Sequence, residues 1–229
     1  MAVLMPHSAF IHVPKTGGTW CRAAIKAGGI PHHESGPNVP RMITRGHASV
    51  SRAYPTIIVR NWTKGDLRPA KRLIFGFVRN PLGYLESRWA DAIRKYKGIA
   101  VPNIDRNWNG VIFSLNFAEY AESCVTADPG APSCAMRPRL GFDRSGDSWV
   151  PQEHSCDEIG RTENLADDLV RILKKAGEKF NEQKLRAVKP QRVSSRLPGF
   201  QRQIVWTDEQ REKIYTANKY LCDTYGYKL

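Results

Sequence analysis

The chain has 229 residues, which is enough for one domain with a substantial core, and 41% of its residues are hydrophobic. Lysine and arginine number 35 against 22 aspartates and glutamates, so the net charge is +13 and we expect an anionic partner. No internal repeat or long low-complexity tract is visible, and no apolar window reaches the length of a transmembrane helix. We therefore expect a single domain over residues 1–229.

The N-terminal residues and the cysteines indicate a cytoplasmic protein. The chain does not begin with a basic region followed by a long apolar stretch, so we expect no signal peptide. The five cysteines are odd in number and lack CxxC spacing, which favours reduced thiols over a zinc site. Cys124 and Cys134 flank a loop rich in proline and glycine, and a disulfide between them remains an alternative.

The first predicted element is a buried strand at residues 9–13, a short apolar run with β-branched content. Gly17 and Gly18 allow a tight turn after it, and Thr19 is predicted to cap a helix over residues 20–27. Such a turn directs backbone N–H groups and the positive end of a helix toward one point. The sequence therefore predicts an oxyanion site at this turn.

Lys15 lies in the same turn, which invites comparison with the nucleotide-triphosphate P-loop. That motif needs a glycine, four further residues, and then Gly-Lys-Ser/Thr. With the motif aligned on Lys15 and Thr16, its two glycine positions fall on Ala9 and Pro14. The lysine here precedes the glycines, so the P-loop pattern is not met. An ordinary strand–helix turn with a surface lysine is the alternative that this stretch alone leaves open.

A second strand–turn–helix unit follows further along the chain. Residues 72–78 are apolar on both faces, as in a central parallel strand. Arg79 stands at the end of this strand, and Pro81 starts a helix that runs to about residue 95. Two such units, each with a basic residue at the turn, predict a parallel α/β sheet with a ligand at the carboxyl ends of its strands.

The rest of the chain is predicted from turn residues and hydrophobic periodicity. Residues 28–40 are expected to form a loop, and residues 97–155 an irregular insertion beside the ligand site, on the side where a second substrate, the acceptor, would bind. Further predicted elements are brief runs at 41–44, 49–54 and 56–59, helices at 116–125 and 162–177, a strand at 156–161, a basic loop at 180–203, and a last helix that Thr207 caps and that runs to about 225.

Residues 14–20, Pro-Lys-Thr-Gly-Gly-Thr-Trp after an apolar strand, resemble the 5′-phosphosulfate loop of PAPS-dependent sulfotransferases (PAPS is 3′-phosphoadenosine-5′-phosphosulfate). Residues 77–89 resemble the 3′-phosphate motif of the same family, with Arg79 at the strand end and Ser87 eight residues later. A guanidinium fork and a hydroxyl suit a phosphate dianion. Two further segments resemble the family and look mainly structural, residues 159–169 and 223–227.

The resemblance implies a P-loop-like three-layer α/β fold, with a central mostly parallel sheet flanked by helices, closer to the carbohydrate sulfotransferases. It also implies that Lys15 contacts the bridging oxygen of PAPS and stabilises charge on the departing phosphate. The product that keeps this phosphate is the 3′,5′-bisphosphate, PAP. Trp20 stands where some relatives stack a tryptophan on adenine, and a core position is the alternative. Arg196 lies in the place of the family's basic loop over the 3′-phosphate. The residues that would cradle the 5′-phosphate are Thr16, Gly17, Gly18 and Thr19.

Sulfuryl transfer needs a base for the acceptor hydroxyl, which favours a histidine, or a glutamate whose pKa burial raises. His47 follows a short predicted strand and resembles a Gly-His segment of several glycan sulfotransferases. It is therefore our candidate base, with His33 and Glu34 in reserve, and a solvated or N-capping histidine is the alternative. No metal is expected, because the sulfuryl group carries less charge than a phosphoryl group.

The resemblance thus predicts a sulfotransferase that moves the sulfuryl group of PAPS to a hydroxyl, on a carbohydrate rather than a small phenol. The form of the Lys-Thr-Gly-Gly-Thr loop and the positive charge favour the carbohydrate. Two alternatives come from other classes, a nucleotide kinase-like P-loop protein and a non-catalytic protein that binds polyanions or nucleic acid. The kinase-like protein would need a Gly-Lys-Ser/Thr loop and a Mg²⁺-binding acid after an apolar strand, and neither appears. The polyanion binder would explain the charge but not the paired motifs, and no nucleic-acid partner is expected.

Overall fold

The structure is a computed structural model that describes residues 2–12, 15–34, 72–96, 116–126, 142–145, 148–151, 156–190 and 203–228. The chain divides into two compact units. The first consists of Met1–Val78 and Arg137–Lys189, and the second of Arg79–Met136 and Pro190–Leu229. The described strands all belong to the first unit, and the described part of the second unit is helical. The single domain over residues 1–229 stays a prediction.

The described strands are β1 (Ala2–Leu4), β2 (Ser8–Ile11), β3 (His33–Glu34), β4 (Leu73–Val78), β5 (Phe142–Ser145), β6 (Ser148–Pro151) and β7 (Glu158–Arg161). The described α-helices are α1 (Gly18–Ala27), α2 (Pro81–Tyr96), α3 (Phe117–Thr126), α4 (Leu165–Ala176), α5 (Glu182–Arg186), α6 (Asp208–Ala217) and α7 (Lys219–Tyr225). A 3₁₀ turn, Thr162–Asn164, leads directly into α4. Within the described residues, no helix has both the length and the apolar character needed to span a membrane.

A five-stranded sheet forms the first unit, in the order β3-β1-β2-β4-β7. β2 and β4 are parallel, and so are β4 and β7, whereas β1 is antiparallel to both of its neighbours. Four strands therefore run one way and β1 runs the other, which confirms the α/β class and the mostly parallel sheet. β5 and β6 form a separate antiparallel hairpin.

The central strands are apolar because their residues are buried on both faces. All of β2 is buried, as is β4 after its first residue. Phe10 of β2 lies in register with Phe75 of β4, and their ring centroids are 5.4 Å apart. The strands predicted at 72–78 and 156–161 are confirmed as β4 and β7, and the one at 9–13 is confirmed as β2, one residue earlier at its start.

Two predictions of irregular structure are wrong. Residues 28–40 include β3, which pairs with β1 so that His33 lies opposite Leu4. The segment 97–155 contains the hairpin of β5 and β6. These short strands depend on a partner strand, so the periodicity of one segment does not reveal them. The runs predicted at 41–44, 49–54 and 56–59 lie outside the described residues.

Helices α1, α4 and α5 pack on one face of the sheet, where Phe10, Phe75 and Phe77 form the strand side of the core. The helix predicted at 162–177 is confirmed as the 3₁₀ turn and α4, with Gly177 as a left-handed C-cap at φ 77°. The buried helix residues of this core are Trp20, Cys21, Ala24, Ile25, Leu169, Val170, Ile172, Leu173 and Leu185.

The basic loop predicted at 180–203 contains a helix, α5, in its described part. Asn181 caps this helix, because its Oδ1 accepts a hydrogen bond from the Lys184 N–H at 2.9 Å. Leu185 is buried in the core and holds α5 in place. A single apolar anchor gives no helical period, which is why the pattern predicts a loop here.

A buried carboxylate connects β2 to the chain that follows α4. Glu178 accepts hydrogen bonds at 2.8 Å from the Ser8 hydroxyl and from the His7 backbone N–H. Glu178 and Ser8 are both buried. Two donors on one oxygen stabilise a carboxylate that has lost its water. This contact anchors the amino end of β2, the end opposite the Lys15 turn.

The second unit is built on α2, α3 and α6. Trp89 of α2 and Trp206 each meet Phe117 of α3 edge-on, with ring centroids 5.2 and 5.0 Å apart. The helices predicted from Pro81 and at 116–125 are confirmed as α2 and α3. Asn80 begins α2, since its Oδ1 accepts a hydrogen bond from the Leu82 N–H at 3.0 Å.

The predicted last helix is two helices rather than one. Thr207 caps α6 as predicted, and together with Gln210 it forms a capping box. The run then breaks at Asn218, which is buried and whose Nδ2 donates to the Ile214 carbonyl at 2.7 Å. An asparagine side chain that bonds a helix carbonyl competes with the next helical turn, so α7 starts anew after it.

Candidate functional site

The turn between β2 and α1 holds the lysine of the first motif in a strained backbone conformation. Lys15 has φ 70°, and it is alone among the described non-glycine residues in having a positive φ. The left-handed region costs an L-residue with a Cβ about 1–2 kcal/mol. Strain of this kind persists where surrounding structure enforces it, and it concentrates at ligand sites. The motif lysine is therefore held in a specific place rather than displayed on a flexible turn.

Helix α1 begins two residues earlier than predicted, so the expectation that Thr19 is the N-cap is wrong. The N-cap is Gly17, at φ 80°, and no side chain of the described residues caps it. The first helical hydrogen bond runs from the Cys21 N–H to the Gly17 carbonyl at 3.0 Å. Glycine adopts the left-handed conformation without cost, which moves the cap from Thr19 to Gly17.

Both glycines of the turn are required by close neighbours. A Cβ at Gly18 would overlap the ring of His12, which lies directly against it. A Cβ at Gly17 would lie 2.5 Å from Cδ2 of Leu165, at the start of α4. His12 and Leu165 thus close the turn from two sides. The first helical turn of α1 has no acidic residue, so the positive end of the helix and Lys15 add to one another.

The neighbouring motif residues point mainly inward. Thr16 is fully buried and Thr19 is half-buried. Trp20 is 7% exposed, belongs to the hydrophobic core, and donates its indole N–H to the Val188 carbonyl at 2.8 Å. This placement favours the core alternative for Trp20 over stacking on adenine.

The second motif lies on one face of α2, in the second unit. Arg79 follows Val78, the last residue of β4, and its guanidinium folds over Gly83, with Nε 3.3 Å from where a Cβ would stand. Ser87 is one helical turn beyond Gly83 and is 7% exposed. Residues four apart are neighbours on a helix surface, so Arg79 and Ser87 flank Gly83 on the same face.

Glu86 lies on this face and was not among the predicted site residues. It is half-buried, and the Trp206 indole N–H donates to its Oε1 at 3.0 Å. Burial raises the pKa of the Glu86 carboxyl, while the Trp206 hydrogen bond and the charges of Arg79 and Arg211 oppose that rise. The seven-residue spacing from Arg79, two helical turns, is the sequence signal that places the two on one face.

The candidate bases differ in what the structure describes. His47 and Arg196 lie outside the described residues, and of His33 only the backbone, in β3, is described. Glu34 is exposed and pairs with Arg22, whose Nε donates to its Oε1 at 3.0 Å. The Arg22 hydrogen bond lowers the pKa of Glu34, which makes this carboxylate a weaker base.

Within the part of the chain that the structure describes, no cysteine forms a disulfide bond, and three of the four described cysteines are buried. Burial raises the pKa of the Cys124 thiol to about 12, and it raises that of Cys21 as well. Such thiols are not nucleophiles at neutral pH. Cys134, the partner considered for Cys124, lies outside the described residues. The described residues contain no group of three or more His, Cys, Asp or Glu side chains that could hold a metal ion.

No family model, curated protein or solved structure matches this chain. The residues of the two strand–turn–helix units are therefore the indication of function that this chain offers.

Proposed function

We propose that the chain is a PAPS-dependent sulfotransferase of the P-loop-like sulfotransferase fold. One observation carries the proposal: the motif lysine, Lys15, is strained into the left-handed region two residues before Gly17, the N-cap of a helix that no described side chain caps. An ordinary strand–helix turn has no need for such strain, because glycine or asparagine would fill the position at lower cost. Binding of an anion by both Lys15 and the helix end would explain why a lysine is kept at this strained position.

The 5′-phosphosulfate of PAPS is the proposed ligand of this turn. The backbone N–H groups of Gly17, Gly18 and Thr19 would donate to the 5′-phosphate, as helix N-termini do for anions. Lys15 would contact the oxygen that bridges phosphorus and sulfur. Negative charge grows on that oxygen as the sulfuryl group departs, so a fixed ammonium there lowers the barrier.

The 3′-phosphate of PAPS is the proposed ligand of the second motif. Arg79 would bind it with two parallel N–H donors and Ser87 with its hydroxyl. Kinase-like chemistry would instead require a Gly-Lys-Ser/Thr loop, which this chain lacks. A 3′-phosphate is the part of the ligand that separates PAPS from ATP, so these two residues set the donor specificity.

The proposed transfer is an in-line displacement at sulfur. The acceptor oxygen forms a bond to sulfur, the bond from sulfur to the bridging oxygen breaks, and its electron pair stays on the phosphate of PAP. The acceptor proton passes to a base, for which His47 remains our candidate. The loop form and the net charge of +13 favour a carbohydrate acceptor, since many glycans are anionic.

Thermal unfolding with PAP, ADP and ATP plus Mg²⁺ tests the proposal. At one hundred times its dissociation constant, PAP would add about 2.7 kcal/mol to the free energy of unfolding, and the other two nucleotides far less. A preference for ATP with Mg²⁺ would identify a kinase-like protein. Equal stabilisation by any polyanion, falling steeply with salt, would identify a non-catalytic polyanion binder.

The His47→Ala variant tests the chemistry separately from binding. It should retain the stabilisation by PAP and lose transfer of labelled sulfate from PAPS. Equal transfer by this variant would move the base to another residue.

A further inference from the structure

One face of α2 carries four residues that belong together. Gly83, Glu86 and Ser87 have the spacing of one helical stripe, and Arg79 precedes the helix by two residues. The Arg79 guanidinium lies against Gly83, where the missing side chain leaves room for it. Gly83 is a helical neighbour of both Glu86 and Ser87. The guanidinium therefore lies at the start of a helix face that also carries a carboxyl group and a hydroxyl.

Glu86 is held more firmly than a surface glutamate. Its Oε1 accepts the indole N–H of Trp206 at 3.0 Å. Trp206 is itself 5% exposed and packs perpendicular to Phe117, with ring centroids 5.0 Å apart. An aromatic donor fixed in this way restricts the rotamers of the carboxylate that it binds. The carboxyl group of Glu86 is thus held in a defined position on the stripe.

Two cations face this carboxylate, Arg79 from the start of α2 and Arg211 from α6, and each favours its ionised form. Burial disfavours the same form and is the larger effect, so the ionised carboxylate costs the fold free energy. A group that costs stability on a stripe of candidate ligands indicates a functional role rather than a structural one.

We propose that Glu86 is a positioning residue, which holds the Arg79 guanidinium over Gly83 in the orientation that binds a 3′-phosphate. This inference rests on the proposed function, because it assigns the role of Glu86 through the ligand of Arg79. An arginine already ordered before the ligand arrives loses less side-chain freedom on binding, so affinity for the 3′-phosphate rises. Affinity for the 5′-phosphate should not change, because the proposed ligands of that phosphate are in the other motif.

The Glu86→Gln variant tests this role, since it keeps an acceptor for Trp206 and removes the charge. The ratio of the dissociation constants for 5′-AMP and PAP should fall about five- to tenfold, while that for 5′-AMP stays unchanged. Glu122→Gln is the matched control, a carboxylate of the same unit that accepts from Gln210, and it should leave the ratio unchanged. Trp206→Phe should lower the ratio in the same direction, because it frees the carboxylate.

A second readout needs no ligand. The Nε–H signal of Arg79, assigned by its loss in Arg79→Lys, should show an ordered side chain in the free wild-type protein and a mobile one in Glu86→Gln. Unchanged order would overturn the inference, and so would tighter PAP binding by Glu86→Gln, which would show that Glu86 only repels the phosphate. If the order falls but the wild-type protein does not prefer PAP to 5′-AMP, the positioning stands and the proposed function fails.

Discussion

Replacing Gly17 with alanine should destabilise the chain more than the same change at Gly177. Both glycines are left-handed, at φ 80° and 77°, so alanine pays about 1–2 kcal/mol of backbone strain at either site. Gly177 has no atom within 4 Å of its Cβ position, whereas at Gly17 that position is 2.5 Å from Leu165 Cδ2. Overpacking adds about 1–3 kcal/mol, and the lower end applies because a leucine end can move.

The expected losses in the free energy of unfolding are therefore about 2–4 kcal/mol for Gly17→Ala and about 1–2 kcal/mol for Gly177→Ala. Urea denaturation of both variants and the wild-type protein measures them. PAP affinity, measured by calorimetry, should fall only in Gly17→Ala, because that change displaces the proposed phosphate loop. Equal destabilisation would mean that Leu165 does not close the turn and that Gly17 is not required by a close neighbour.

Three further predictions concern the charge and packing of the motif residues. Lys15→Gly and Lys15→Ala should both lose sulfate transfer. The free energy of unfolding should be about 1 kcal/mol higher for Lys15→Gly than for Lys15→Ala, because glycine relieves the backbone strain. Equal free energies of unfolding would show that Lys15 is unstrained. Trp20→Phe should cost about 1 kcal/mol for the lost hydrogen bond to Val188 and leave PAP affinity unchanged, whereas weaker PAP binding in a titration would restore the stacking role. Because the folded chain raises the Glu86 pKa above its ordinary 4.5, the stability due to this group is complete at low pH and is lost as pH rises through the folded pKa. Denaturation at a series of pH values from acid to neutral should therefore show the free energy of unfolding of Glu86→Gln rising relative to that of the wild-type protein. A difference that does not change with pH would contradict this.

The elements that the sequence predicted well are those whose own residues determine them. β4 is apolar along its whole length, and α2 begins at a proline that suits the first helical position. β1, β3 and the hairpin of β5 and β6 are short, and each is stabilised by a partner strand rather than by its own pattern. Asn218 divides the last helix through a side-chain hydrogen bond that helical periodicity cannot show.

The candidate site was predictable in its residue types and less so in its geometry. The two glycines of the first turn indicated a tight turn, and in the structure Gly17 has a left-handed backbone and lies close to Leu165. The strain at Lys15 could not be predicted, because lysine is not a residue type that favours a positive φ. Glu86 was also missed, since its environment comes from Trp206 and Arg211, which lie far along the chain.

We propose that Lys15 and Arg79 bind different phosphates of one nucleotide. Calorimetric titration of PAP, 5′-AMP and 3′-AMP into the wild-type protein and into Lys15→Ala and Arg79→Ala tests it most directly. The wild-type protein should bind PAP most tightly, with an advantage over 3′-AMP and another over 5′-AMP. Lys15→Ala should bind PAP no more tightly than 3′-AMP, and Arg79→Ala should bind PAP no more tightly than 5′-AMP. Each advantage should be worth about 1.5–3 kcal/mol, the contribution of hydrogen bonds to a charged group. Equal binding of all three nucleotides by the wild-type protein, or the same loss in both variants, would show that the two residues do not bind separate phosphates.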